Sequence, residues 1–156
     1  MKNSLKSLNK SEPGMTLLEL TVVLLVLLAF IGTLIISVRA WTSHSDRTNS
    51  IVTIRNSQQA VRGYANTVGK TEGTIAGLPA QVFGAQRYVD NGLNSSGAQR
   101  PDGELPEHPV NGESYDFVNS DPDLIPPTGT LYICTGGAAG LSDPAYNPVR
   151  STYEGW

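Results

Sequence analysis

Residues 15–38 are apolar at almost every position, and Glu19 is the one charge among them. Such a run is long enough to cross a bilayer as a helix. A carboxylate inside it is costly in hydrocarbon and is normally there for a partner. The pattern then changes without an intervening proline. Ile51, Ile54, Gln58, Val61, Ala65 and Val68 recur at alternating three- and four-residue spacings, which is one stripe on a helix. Gly69 is the expected stop. A single helix over residues 15–68 would run about 80 Å. Its first half would lie in lipid, and its second half would lay the stripe on a globular part. The alternative is a break into two helices among the Ser, Thr, Asn and Asp of residues 43–50. Ala29, Thr33 and Ser37, spaced by four beside Gly32, form a small-residue face that lets another helix approach, although small residues are common in spanning helices.

Nine of the ten prolines and eleven of the sixteen glycines lie from Gly77 onward, so the long helix gives way to a turn-rich region. Strand-like runs fall at residues 80–83, 87–89, 114–118 and 130–134. Asn-Gly pairs at 91–92 and 111–112 mark tight turns. The expected fold class is α+β: a long N-terminal helix, half membrane and half amphipathic, packed on a small antiparallel sheet. The divisions are residues 1–14 as a leader, 15–38 as the transmembrane helix, 39–69 as its amphipathic continuation and 70–156 as a small β domain.

Charge sharpens these divisions. The leader carries Lys2, Lys6 and Lys10 against Glu12. Residues 39–70 carry Arg39, Arg47, Arg55, Arg62 and Lys70 against Asp46, a net of +4. Residues 71–156 carry eleven acids against Arg87, Arg100 and Arg150, a net of −8. So acidic a region argues against nucleic acid being bound by this domain alone. Basic residues flank the apolar run on both sides, so the positive-inside rule leaves its orientation open.

The junction of leader and apolar run reads Glu12-Pro13-Gly14-Met15-Thr16-Leu17-Leu18-Glu19-Leu20. It resembles the N-terminal signature of the type IV pilin and type II secretion pseudopilin superfamily, in which a glycine, an acid five residues on and an uninterrupted apolar run occur together. The resemblance covers residues 10–40. It implies cleavage after Gly14 by a prepilin peptidase, N-methylation of Met15 and an assembly role for Glu19. Met15 stands where Phe is commonest, and Pro13 before the glycine is less usual. A new ammonium at Met15 could meet Glu19 of a neighbouring chain, or Glu19 could answer the positive end of its own helix. Pairing between chains would also set helix register, because an unpaired buried charge is costly. An ordinary secretory signal cut after Ala40 has a shorter apolar core and assigns Glu19 no role.

The resemblance implies a structural subunit of a type IV pilus-like filament or a type II secretion pseudopilus. Its partners would be the prepilin peptidase, other pilin or pseudopilin subunits in a homo- or hetero-filament, and an inner-membrane assembly platform. Its place would be the inner membrane, single-pass, with the C-terminal domain in the periplasm, or the cell surface if it is a pilus subunit. The alternative is a membrane-tethered extracytoplasmic binding module that does not polymerise. Cys134 is the single cysteine, so the internal C-terminal disulfide of many major pilins cannot form, and the mid-helix proline of many type IV pilins is missing. Both features lean toward a pseudopilin or minor pilin. Cys134 itself reads as a small buried hydrophobe.

No enzyme motif stands out. His44 and His108 lie in different contexts, and residues 135–140 are glycine-rich without the Lys-Ser/Thr ending of a phosphate loop. No organic cofactor is implied. Asp116, Asn119, Asp121 and Asp123 crowd oxygen ligands into a short segment, which suits either calcium or a solvated acidic turn. Residues 105–115 loosely resemble a stretch that precedes a calcium loop in major pseudopilins, with His108 where those have Asp. Arg39, Arg47, Arg55 and Arg62 share a helix face, read either as a solvated face or as a basic ridge for an acidic neighbour.

Overall fold

The computed structural model describes residues 16–136 and 145–156. The leader, Gly14, Met15 and most of the glycine-rich segment at 135–140 lie outside the described residues. Helix α1 runs unbroken over Leu17–Val68. Thr16 caps its start, its Oγ1 accepting the Glu19 N–H at 3.3 Å, and the Leu20 N–H bonds Thr16 O at 3.1 Å. The Ser/Thr-rich stretch does not break it. Thr48, Thr53 and Ser57 hydroxyls donate to carbonyls four residues back, so they satisfy themselves within the helix. At the far end Gly69 takes φ 72, and the Gly69 and Lys70 N–H groups return to Asn66 O and Ala65 O. This paired closure needs a left-handed residue, which glycine supplies without strain.

The chain divides into two compact units, Met1–Trp41 and Thr42–Trp156. In the first, every described residue is exposed. This part of α1 is long and apolar enough to cross a membrane. In the second, Ile54, Val61 and Ala65 from α1 are buried with Leu78, Val82, Phe83, Ile125, Leu131, Tyr132 and Ile133 in one core. Ser57, Gln58 and Ala60 join the buried side of α1, whereas Val68 stays half exposed beyond it.

The remaining elements are α2 (Leu78–Val82), β1 (Tyr115–Phe117), β2 (Ile133–Thr135) and α3 (Arg150–Tyr153). Strands β1 and β2 form a two-stranded antiparallel sheet, with Asp116 opposite Cys134. The layout is therefore α+β, with far less sheet than the strand-like runs suggest. Residues 80–83 are not a strand. Gly77 at φ 68 followed by Pro79 starts a helical turn instead, because proline in a first turn loses no hydrogen bond. Residues 87–89 contribute one isolated bridge, Phe83 with Val89. The expected strand at 130–134 is displaced to β2 because Gln58 Oε1 takes the Tyr132 N–H at 2.8 Å.

Of the two Asn-Gly pairs, 111–112 forms the expected turn, closed by Glu113 N–H to Val110 O. At 91–92 the asparagine has a different task. Asn91 is buried, its Nδ2 donates to Pro101 O and Glu104 O, and its Oδ1 accepts from Gln99. One side chain thus organises a stretch that has almost no strand pairing.

Candidate functional site

The sequence singles out two places. At the first, Glu19 is exposed in the opening turn of α1, three residues after its cap. Thr16 and Glu19 have the spacing of a capping box, so the acid lies among the unpaired N–H groups at the positive end of the helix. Among the described residues of the first unit, none covers it.

At the second, the structure gives the three aspartates separate duties. Asp116 lies mid-strand in β1. Asp121 Oδ1 accepts the Asp123 N–H at 3.0 Å, and Asp123 Oδ1 accepts the Leu78 N–H at 3.1 Å at the start of α2. Asp123 O also accepts from Ile75. Among the described residues, no three His, Cys, Asp or Glu side chains are grouped to hold a metal ion. Asp121 and Asp123 nevertheless act on a neighbour. The Tyr132 phenol is pushed well above its ordinary value, first by burial and then by these two carboxylates, while its hydroxyl donates to Pro122 O at 2.6 Å.

The histidine that stands in the calcium-like stretch proves to be structural. His108 is buried, and its Nδ1 accepts the Val110 N–H at 3.1 Å. The proton of the neutral ring is therefore on Nε2, which lies 3.3 Å from both Ser50 Oγ and Thr135 Oγ1. Ser50 in turn donates to Tyr146 O at 3.0 Å. Ser50 thus gives its hydroxyl proton to a backbone carbonyl, and the buried Ser50, His108 and Thr135 side chains tie α1 to later segments of the chain. Tyr115 and Tyr146 rings flank the imidazole at 4.8 and 5.4 Å. Burial pushes the Tyr115 phenol up, opposed by the nearby Ser50 and Thr53 hydroxyls. Neither bonds its Oη, which has no partner among the described residues. The network joins α1 to positions far along the chain, and no local pattern announces it.

Cys134 is buried, as its context suggests, and its thiol is pushed up by burial and by Asp116. It is held as the unreactive thiol. The helix arginines differ from one another. Arg47 is exposed. The Arg55 guanidinium sits 5.5 Å over the Trp156 ring, and Arg62 Nη2 is buried without a hydrogen-bond partner among the described residues. Cavities flank α1 on this side, and one of about 400 Å³ lies between Tyr64, Gln81, Gln86, Arg87 and Tyr88. There Arg87 is already paired with Asp102 at 3.0 Å.

Comparison of the chain with family models, with curated proteins and with solved structures finds no match.

Proposed function

We propose that the chain is a non-enzymatic filament subunit of the type IV pilus-like or type II secretion pseudopilus kind. It would be cut after Gly14, N-methylated at Met15 and anchored in the inner membrane until it assembles, with residues 42–156 in the periplasm. The observation that carries this reading is the junction at Gly14, Met15 and Glu19, set directly before an apolar run that forms one unbroken helix. Apolar side chains from Leu17 to Val38 are exposed, and one carboxylate sits among them. Lipid covers the apolar surface before assembly, and neighbouring helices cover it afterwards. The Met15 ammonium of a neighbour would then neutralise Glu19 and fix the register of stacked helices. The pilin-like arrangement belongs to the same proposal, supported by an α1 whose second half is buried in the C-terminal unit.

The test is the intact mass of the membrane-extracted protein. Loss of residues 1–14 with one added methyl on Met15 is expected, and a bulky side chain at Gly14 should block the cut. An intact leader, or a cut after Ala40, overturns the reading. Glu19→Ala and Glu19→Gln should insert normally, since removing a charge eases insertion, and should lose filaments. Filaments of normal yield from both variants would overturn the pairing of Glu19 with a neighbour's Met15 ammonium.

A further inference from the structure

We propose that a groove on the outer side of α1, between Tyr88 and Trp156, receives Glu113 and Asp116 from a second copy of this chain. This deepens the filament reading and rests on it. A cavity of about 520 Å³ is lined by Arg55, Gln59, Arg62, Asn66 and Trp156. A second, of about 340 Å³, lies against Tyr88. Gln59 and Gly63 line both, so they form one strip across the helix. Gly63 leaves its floor low, with the Tyr88 ring as the nearest group to a side chain placed there.

The charges of the C-terminal unit are satisfied unequally. Arg87 pairs with Asp102, Arg100 with Glu104 and Glu107, and Arg150 with Glu154. Those arginines belong to the acidic region and are answered within it. Arg55 and Arg62 on α1 meet no carboxylate among the described residues. Arg55 is held against the Trp156 face, which fixes its guanidinium at the groove. Arg62 is half-buried and lines the same cavity, so the exposed part of its guanidinium is available to an incoming carboxylate. Planar guanidinium groups favour paired hydrogen bonds to carboxylates.

The matching acids lie on β1. The strand's alternation sends Tyr115 and Phe117 to the core, so Asp116 points to the opposite face. Glu113 is exposed just before the strand. Neither has a basic partner among the described residues. A second copy is the occupant because each chain carries both members: a basic helix region of net +4 and an acidic region of net −8. A contact between two different surfaces is head-to-tail, and unless it closes into a ring it propagates as a helical filament.

The experiment uses the full-length protein in its native membrane, with a photo-crosslinking amino acid at Gln59 and, separately, at Leu24 in the apolar helix. The Gln59 probe is expected to give a covalent dimer whose crosslinked peptide contains residues 113–118. Arg55→Glu with Arg62→Glu should lower its yield about tenfold. Adding Glu113→Arg and Asp116→Arg to the same chain should restore it, which a misfolded variant could not do. Dimers from Leu24 without any from Gln59 overturn the groove and leave the filament reading standing. So does a Gln59 crosslink to another segment or to another protein. Dimers from Gln59 alone keep the groove and remove the packed helical core. No dimers from either probe remove both.

Discussion

Leu24 and Ile54 belong to the same helix, yet Leu24 is 51% exposed and Ile54 is 1% exposed. The backbone does not distinguish them; their surroundings do. In the first half of α1 apolar residues cover every side, so no single protein face could bury them, and a bilayer or a ring of like helices is the matching solvent. In the second half Asn56, Gln59 and Asn66 stay outside while Ile54, Val61 and Ala65 turn inward, so the folded domain is the solvent. One unbroken helix can thus serve two media, and its stability in each comes from a different partner.

The largest expected effect follows from cutting between the halves. A chain beginning at Thr42 should be soluble and folded without detergent, since residues 42–156 form a compact unit with its own core. Aggregation of that fragment, or the circular dichroism of a coil, would break the comparison. Next, Ile54→Ala should destabilise this fragment by about 2–5 kcal/mol in denaturant melts. In the full-length protein Leu24→Ala should leave the melt of the C-terminal domain unchanged. Equal losses from the two would mean that the first half also packs on the domain.

Calcium comes next. If Asp116, Asp121 and Asp123 hold the ion, saturation at about 100 times the dissociation constant adds roughly 2.7 kcal/mol over chelator. An unchanged melting temperature withdraws calcium from the domain. Gln58→Leu should cost about 1–3 kcal/mol, because the Tyr132 N–H and the Thr130 carbonyl lose the partner that Gln58 gives them. A neutral result would show that water replaces the amide there. The smallest effect is at the helix end. Gly69→Ala should cost about 1 kcal/mol through its left-handed φ. Gly32→Ala, in the exposed half with nothing within 4 Å, should leave the domain untouched.

Much of α1 was legible from residue order. Its period, the lack of prolines between Pro13 and Pro79, and Gly69 as terminator are local signals, and helices are built from local hydrogen bonds. The Gly14, Met15 and Glu19 junction is a linear pattern too, but Gly14 and Met15 lie outside the described residues, so its role stays a proposal. The α+β class was legible too, although its sheet shrank to two short strands. Residues 80–83 show why: a short strand-like run between turn signals suggested a strand, and Gly77 with Pro79 made a helical turn.

What only the tertiary structure decided is how the proline-rich region is held. Its organising groups are single polar side chains reaching distant backbone or hydroxyl partners: Gln58 to Thr130 and Tyr132, Asn91 to Pro101 and Glu104, His108 to Ser50. The pairing of Arg55 with Trp156 is of the same kind. Such contacts leave no period in the sequence, because each buried polar group needs one partner in space and has no preferred spacing along the chain. The apolar run of residues 15–38, by contrast, was determined by sequence alone, because its composition already states which solvent it requires.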